Sequence, residues 1–164
     1  MIFAAFALAA QLANPGFERG LEGWEIERHR GMGVGIVSNR GSTVRQSAEG
    51  EHFLTMGWRA RNAAPPDALV RAFTQVDARP YRGRTIRVSA QTRAPDFAGG
   101  AGTILVTAAG AKARTSIAAS GTWRRHAVTF RVPRRAEWIE VAFQSGGTAA
   151  ELNLDDVRLV VLRR

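Results

Sequence analysis

Beyond its first ten residues this chain holds no clean helical apolar period; its apolar residues recur at every second position in short runs. A strand sends successive side chains to opposite faces, so a period of two marks a sheet with one side to bury. Ile139, Val141 and Phe143 share one face against Trp138, Glu140, Ala142 and Gln144. Ile86, Val88 and Ala90 alternate in the same way with Arg87, Ser89, Gln91 and Arg93. Leu54, Met56 and Trp58 form a third set, and Val128 with Phe130 a fourth. Turn-forming groups punctuate the runs, among them Asn39-Arg40-Gly41, Ala64-Pro65-Pro66-Asp67, Arg79-Pro80, Pro95-Asp96, Gly99-Gly100 and Gly146-Gly147. Strands are predicted near 23–28, 33–38, 52–58, 69–77, 84–93, 102–109, 112–118, 123–131, 137–144 and 151–162. Short strands at that spacing, each with one apolar face, make an all-β sandwich of two sheets about 10 Å apart.

A length of 164 residues suits one domain with a sizeable core, and 45% hydrophobic content argues against disorder. No linker long enough to separate a pair of domains is visible, and no internal repeat. The absence of cysteine excludes disulfides, thiolate metal sites and cysteine nucleophiles, and fits any compartment. The formal charge of +9 arises from 23 basic residues, of which only Lys112 is lysine. Two readings stand side by side: the arginine bias of a GC-rich coding sequence, or an anionic partner such as an acidic glycan, a membrane surface or nucleic acid. The arginines are scattered along the sequence and form no basic arm.

Residues 1–10 are uniformly apolar, and Ala7-Leu8-Ala9 has the small-x-small spacing of a signal-peptidase site, although no Lys or Arg precedes the run. The segment reads as a signal peptide or apolar leader ahead of a single domain over 11–164, which implies a secreted or periplasmic bacterial protein. The competing reading is an apolar lead-in to the first strand. The run is too short to cross a membrane.

Enzyme chemistry finds little support. His29, His52 and His126 have no metal-ligand spacing, and neither a G-x-S-x-G elbow nor a phosphate loop is present. Gly31-Met32-Gly33-Val34-Gly35 lacks the βαβ setting of a dinucleotide site. Nucleic acid is disfavoured as a partner because no exposed aromatics interleave with the basic residues.

The two ends carry the most specific pattern. Asn14-Pro15-Gly16-Phe17-Glu18, then Gly20-Leu21-Glu22-Gly23-Trp24, pairs with a closing Leu152-Asn153-Leu154-Asp155-Asp156-Val157-Arg158-Leu159. Between them stand Tyr81-Arg82-Gly83-Arg84-Thr85-Ile86-Arg87-Val88-Ser89-Ala90, and Gly121-Thr122-Trp123 leading to Val132-Pro133. The ensemble resembles the galactose-binding-like β-sandwich of carbohydrate-binding modules, in the group of families four, nine and twenty-two. It extends from about Gln11 to Leu162, and implies a non-catalytic jelly roll of two antiparallel sheets with its ends close together and with Trp24 and Trp123 in the core.

The resemblance also implies two sites. One is a structural calcium held by the Gly16 carbonyl, Glu18, Glu49, the His52 carbonyl and Asp155, with Asp156 replacing Asp155 if the register slips by one. Calcium takes six to eight oxygens, so carboxylates from three distant segments suit it; the bland alternative pairs Glu18 and Asp155 with arginines or backbone N–H groups and no metal. The other is a glycan-binding face formed by Trp138, Gln91, Arg87, Arg93, Glu140 and Gln144, on two strands that the resemblance places in one sheet. With one ring among arginines, which pair well with carboxylates and sulfates, that face suits an acidic or decorated glycan better than neutral cellulose or xylan. The alternative from a different class is an accessory module that binds a protein partner and reads no sugar.

Overall fold

The computed structural model describes residues 12–29, 31–39, 47–58, 68–95, 102–146 and 151–162, so the apolar leader lies outside the described residues. Among them are ten strands: β1 (Glu25–Arg28), β2 (Met32–Ser38), β3 (His52–Trp58), β4 (Leu69–Asp77), β5 (Thr85–Ala94), β6 (Gly102–Ala108), β7 (Ala111–Ile117), β8 (Ser120–Arg131), β9 (Trp138–Gly146) and β10 (Leu152–Val161). A single 3-10 turn, Arg79–Tyr81, opens on Pro80 and buries Tyr81. One sheet runs β1-β4-β9-β6-β7 and the second β2-β3-β10-β5-β8. Every paired neighbour is antiparallel. The all-β sandwich expected from the alternation is the fold found. None of the described helices is long and apolar enough to cross a membrane.

Alternation translates directly into burial. Val70, Ala72, Ile104, Val106, Ile139, Val141 and Phe143 point inward from the first sheet and meet Leu54, Met56, Ile86, Val88, Val128 and Phe130 from the second. The N-terminal turn closes one end of this core. Phe17 packs 5.2 Å from Trp24, and Trp24 lies 6.0 Å from Phe143. Trp24 Nε1 donates to the Asn14 carbonyl at 3.2 Å, so the buried indole is satisfied. Asn14 in turn binds the Gly20 carbonyl through Nδ2 at 2.8 Å and takes the Arg19 N–H on Oδ1 at 3.0 Å.

Two features depart from simple alternation. In β10 the pairing with β5 shifts between Asp155 and Arg158, and Asp156 sits at φ 45° as the extra residue. That bulge changes parity, so Leu152 and Leu154 face inward before it and Val157 and Leu159 after it. Trp123, expected in the core, instead stands half-buried on the outer side of β8, where it meets Phe53 edge to face at 5.5 Å.

Gly102 marks a close approach in the first sheet. A Cβ there would run into the Gln144 carbonyl oxygen and come within 2.9 Å of Leu152 Cδ2. Gly121, by contrast, has nothing among the described residues within 4 Å of such an atom. Gly102→Ala should therefore lower stability by about 1–3 kcal/mol, read as a drop in melting temperature. Gly121→Ala should leave melting nearly unchanged, and equal effects would show that the β6–β9 approach is not tight.

Candidate functional site

The N-terminal turn and β10 meet the 47–52 loop on the outer side of the second sheet. Val157 N–H donates to the Pro15 carbonyl at 3.0 Å, tying β10 to the N-terminal turn. Glu18 Oε1 accepts from the N–H groups of Glu51 at 2.8 Å and His52 at 3.0 Å, and Oε2 lies 2.9 Å from His52 Nδ1. Gly50, at φ +71°, lets the backbone come close, since a Cβ there would strike the Glu18 carboxylate. Asp155 Oδ2 accepts from Ala48 and Glu49, each at 2.8 Å, and Oδ1 accepts from Asp156 at 2.7 Å. Gly16 lies between the two acids: a Cβ on it would be 3.6 Å from Asp155 Oδ1 and 3.9 Å from Glu18 Cγ. Glu49 points elsewhere and pairs with Arg158 at 3.3 Å, while Arg158 Nε binds Asp156 Oδ1 at 2.7 Å and Arg125 closes on Asp156 Oδ2. An open hollow of about 950 Å³ lies beside this junction, lined in part by Asn14, Pro15, Gly16, Glu18, Glu49 and Arg158.

Of the five positions implied for calcium, Gly16, Glu18, His52 and Asp155 thus stand on segments in mutual contact, and Glu49 is turned to Arg158. Among the described residues no three acidic or histidine side chains close on one point. The electrostatics of the two central acids differ. Burial works against ionisation of Glu18, but the hydrogen bonds from His52 and Glu51 outweigh it and hold its carboxyl below the ordinary range. Asp155 is wholly enclosed, and burial pushes it up to about 6 despite N–H groups from Glu49, Asp156 and Ala48.

The six residues assigned to a glycan face do not share one. Trp138, Glu140 and Gln144 lie on β9 in the first sheet, whereas Arg87, Gln91 and Arg93 lie on β5 in the second. Both sets do face outward, so the sandwich separates them onto opposite surfaces. The second sheet's outer face is also closed over much of its area. Phe53, Thr55, Asn153 and Asp155 all point outward from it, yet none is more than 5% exposed. Arg93 lies 5.6 Å over the Phe53 ring and 5.1 Å over the Trp123 ring, so its guanidinium serves an aromatic cluster. The side chain of Trp58, on the neighbouring β3 end, lies outside the described residues.

The first sheet's outer face is open and ordered in cross-strand rows. Glu27, Arg71, Gln144 and Thr103 form one row, and Gln75, Glu140 and Thr107 another. Phe73, Ala142 and Leu105 make an apolar floor between them. Asp77 pairs with Trp138 at the end of the face, where the indole is 57% exposed. Arg71 holds the centre. Its NH1 donates to Glu27 Oε2 at 2.8 Å, its NH2 to Glu140 Oε1, and its guanidinium carbon lies 4.3 Å over the Phe73 ring. Thr107 Oγ1 adds a 3.3 Å bond to Glu140 Oε1. Arg71 Nε is enclosed and has no hydrogen-bond partner among the described residues, in the middle of the face. Sequence reasoning missed Arg71, Phe73 and Gln75; their signal was the outward parity of 71, 73 and 75 against Val70, Ala72, Thr74 and Val76.

No family model matches this chain, and no curated protein matches it. Solved structures match its fold closely. The enzymatically active domain of tailspike protein 4 of bacteriophage CBA120 superposes with a TM-score of 0.66 at 12% identity, covering 92% of this chain but only 21% of the tailspike chain. TmCBM61, solved in complex with β-1,4-galactotriose, gives a TM-score of 0.63 at 17% identity over 93% of this chain and 97% of that one. The C-terminal family 22 carbohydrate-binding module of Clostridium thermocellum Xyn10B gives 0.57 at 16% identity, with 90% of each chain covered. At such identities the likeness is one of fold, and this chain has the β-sandwich fold of carbohydrate-binding modules.

The buried Asp155 generates a test with a defined sign. Its folded pKa stands above the ordinary 3.8, so its contribution to stability is full below about pH 4 and is lost as pH rises through about 6. Glu18 and Asp156, both held low, act oppositely, and their contribution falls away on acidification. Comparing the protein with Asp155→Asn in chelator isolates the first effect. The stability of the variant relative to the parent should rise between about pH 4 and pH 7, by at most about 3 kcal/mol, whatever constant offset the amide introduces. Parallel profiles of melting temperature against pH would show that Asp155 ionises as easily in the fold as outside it.

Proposed function

We propose that the protein binds a polysaccharide across the outer face of the β1-β4-β9-β6-β7 sheet and performs no catalysis of its own. What carries this reading is Trp138, an indole left 57% exposed at the end of an open row of hydrogen-bonding side chains. A sugar ring presents C–H groups to an aromatic face and hydroxyls to its edges, so one ring beside Gln75, Glu140 and Gln144 supplies both kinds of contact. The β-sandwich fold of TmCBM61 and the Xyn10B family 22 module supports it. The face's charges nearly cancel: Glu27 and Glu140 flank Arg71, Asp77 pairs with Arg79, and Glu25 stands against Lys112 and Arg114. Hydroxyl-rich sugar units suit such a surface, and the acidic groups of a decorated glycan would need cations elsewhere on the molecule. Secretion or a periplasmic location, expected from the apolar leader, accords with an external polymer as ligand.

Trp138→Ala should weaken retention on a bound polysaccharide about tenfold or more in affinity electrophoresis over a panel of soluble glycans. Melting should hardly change, because an exposed ring adds little to the core. If no polysaccharide in the panel retards the protein, an accessory module that binds a protein partner becomes the better account, with exposed Leu69 and Trp138 as its apolar contacts.

We further propose that the terminal junction takes a structural calcium. The residues fit incompletely: Glu18 and Asp155 are carboxylates on segments that meet, Gly16 lies between them, and every hydrogen bond Asp155 accepts comes from a neutral amide. A buried carboxylate with only amide partners is one that a cation would stabilise. Glu49 would join by exchanging Arg158 for the ion. Calcium at a hundredfold excess over its dissociation constant should then add about 2.7 kcal/mol, seen as a higher melting temperature than in chelator, and Asp155→Asn should remove the difference. Identical melting in calcium and in chelator would mean that the two acids hold no ion and are satisfied by backbone N–H groups and His52.

A further inference from the structure

Six of the arginines that are scattered in the sequence come together at one end of the sandwich. The 79–84 turn and the 131–137 connection run side by side there: Gly83 N–H donates to the Val132 carbonyl and Val132 N–H to the Arg84 carbonyl, both at 2.9 Å. Arg82, Arg84, Arg87, Arg131, Arg134 and Arg135 are all exposed on these segments and the adjoining strand ends. The acids among them are few. Asp77 is taken by Arg79, which leaves Glu137. Two of the guanidinium groups are anchored by carbonyls, with Arg82 Nε donating to Ala136 at 2.7 Å and Arg135 to Ala109 at 3.4 Å. A carbonyl fixes a guanidinium without cancelling its charge, so these side chains are positioned yet remain cationic. Among the described residues no carboxylate pairs with any of the six.

This end adjoins the open face. Trp138 follows Glu137 directly, and Ala78 N–H donates to the Glu137 carbonyl at 2.9 Å, so the indole stands where the face gives way to the arginines. We propose that the arginine-rich end binds the carboxylate or sulfate groups of an acidic polysaccharide whose chain continues past Trp138 from the first sheet's face, a proposal that rests on the glycan reading of that face. The planar fork of arginine donates two parallel hydrogen bonds to such a group, and several forks on two neighbouring segments suit a polymer with repeated anions. Nucleic acid is less well matched, because Trp138 is the lone exposed aromatic ring among the described residues of this end and base stacking calls for several.

The test uses the full chain and three soluble probes: polygalacturonate, its methyl-esterified form, and double-stranded DNA. At low salt, about 0.05 M, the protein should bind polygalacturonate more tightly than the ester, and added salt should erase the difference. Replacing Arg84, Arg131 and Arg134 by Gln together should cut affinity for polygalacturonate about tenfold or more, leaving affinity for the ester and the melting temperature as they were. Among the described residues no carbonyl anchors any of these three, so their loss should not unfold the end. Trp138→Ala should weaken both polysaccharides. The proposal is overturned if polygalacturonate is not bound, or if the triple variant binds it like the parent. Tighter binding of DNA, lost in the same variant, would overturn it in favour of a nucleic-acid surface. Failure of the face reading looks different: Trp138→Ala would then leave both polysaccharides bound as before while the triple variant alone loses the acidic one, and the continuous path would be wrong.

Discussion

Asp155 sits enclosed on the central strand β10, and three backbone N–H groups converge on its carboxylate. Two of these come from Ala48 and Glu49, so one side chain fastens a loop more than a hundred residues away in sequence. The next residue is the bulge, and just beyond it Val157 holds the N-terminal turn through the Pro15 carbonyl. Glu18 then reaches from that turn to the same loop. Three distant pieces of chain are therefore held by two carboxylates and one bulge. Leaving a buried acid to be satisfied by amides alone is costly, which is why Asp155 resists ionisation and why this junction is where a cation would be most useful.

The charge of the molecule is partitioned by its topology. Antiparallel neighbours place Glu27, Arg71 and Gln144 side by side on the first sheet, where opposite charges are spent on each other. On the second sheet Arg125 and Arg158 are spent on Asp156, and Arg93 on two aromatic rings. At the turns of one end, six exposed arginines pair with no carboxylate among the described residues. Positive charge spread evenly would say little about partners; six exposed arginines at an end that meets an open face describe a direction along which an anionic polymer can lie.

The strands and their inward faces were legible because alternation is a local property of each strand. Ile139-Val141-Phe143 and Ile86-Val88-Ala90 point inward as read, and all ten strands lie within a few residues of their predicted positions. Which sheet a strand joins is not local. β5 and β9 each have an outer face, but nothing in their own residues says that β5 neighbours β10 and β8 while β9 neighbours β4 and β6. For that reason Arg87, Gln91 and Arg93 were grouped with Trp138, Glu140 and Gln144, from which the thickness of the sandwich divides them. Trp123 failed differently. Its motif implied core packing, but its odd position on β8 sends it outward, to cover the second sheet with Phe53 and Arg93.

The doubled aspartate in Leu154-Asp155-Asp156-Val157 contains the same lesson in miniature. Read as regular alternation, it would send either Asp155 or Val157 to the wrong side. The bulge resolves the conflict by inserting Asp156 at a positive φ, which keeps Asp155 facing the 47–52 loop and returns Val157 to the core. Asp and Asn tolerate that backbone region better than most residues, so the second aspartate is suited to the bulge. Its carboxylate is not wasted there, since Arg125 and Arg158 close on it from β8 and β10. One residue thus sets the parity of the strand, separates the two acids and neutralises two arginines. Those two arginines are thereby committed to Asp156, whereas the arginines of the 82–87 and 131–135 segments pair with no carboxylate among the described residues.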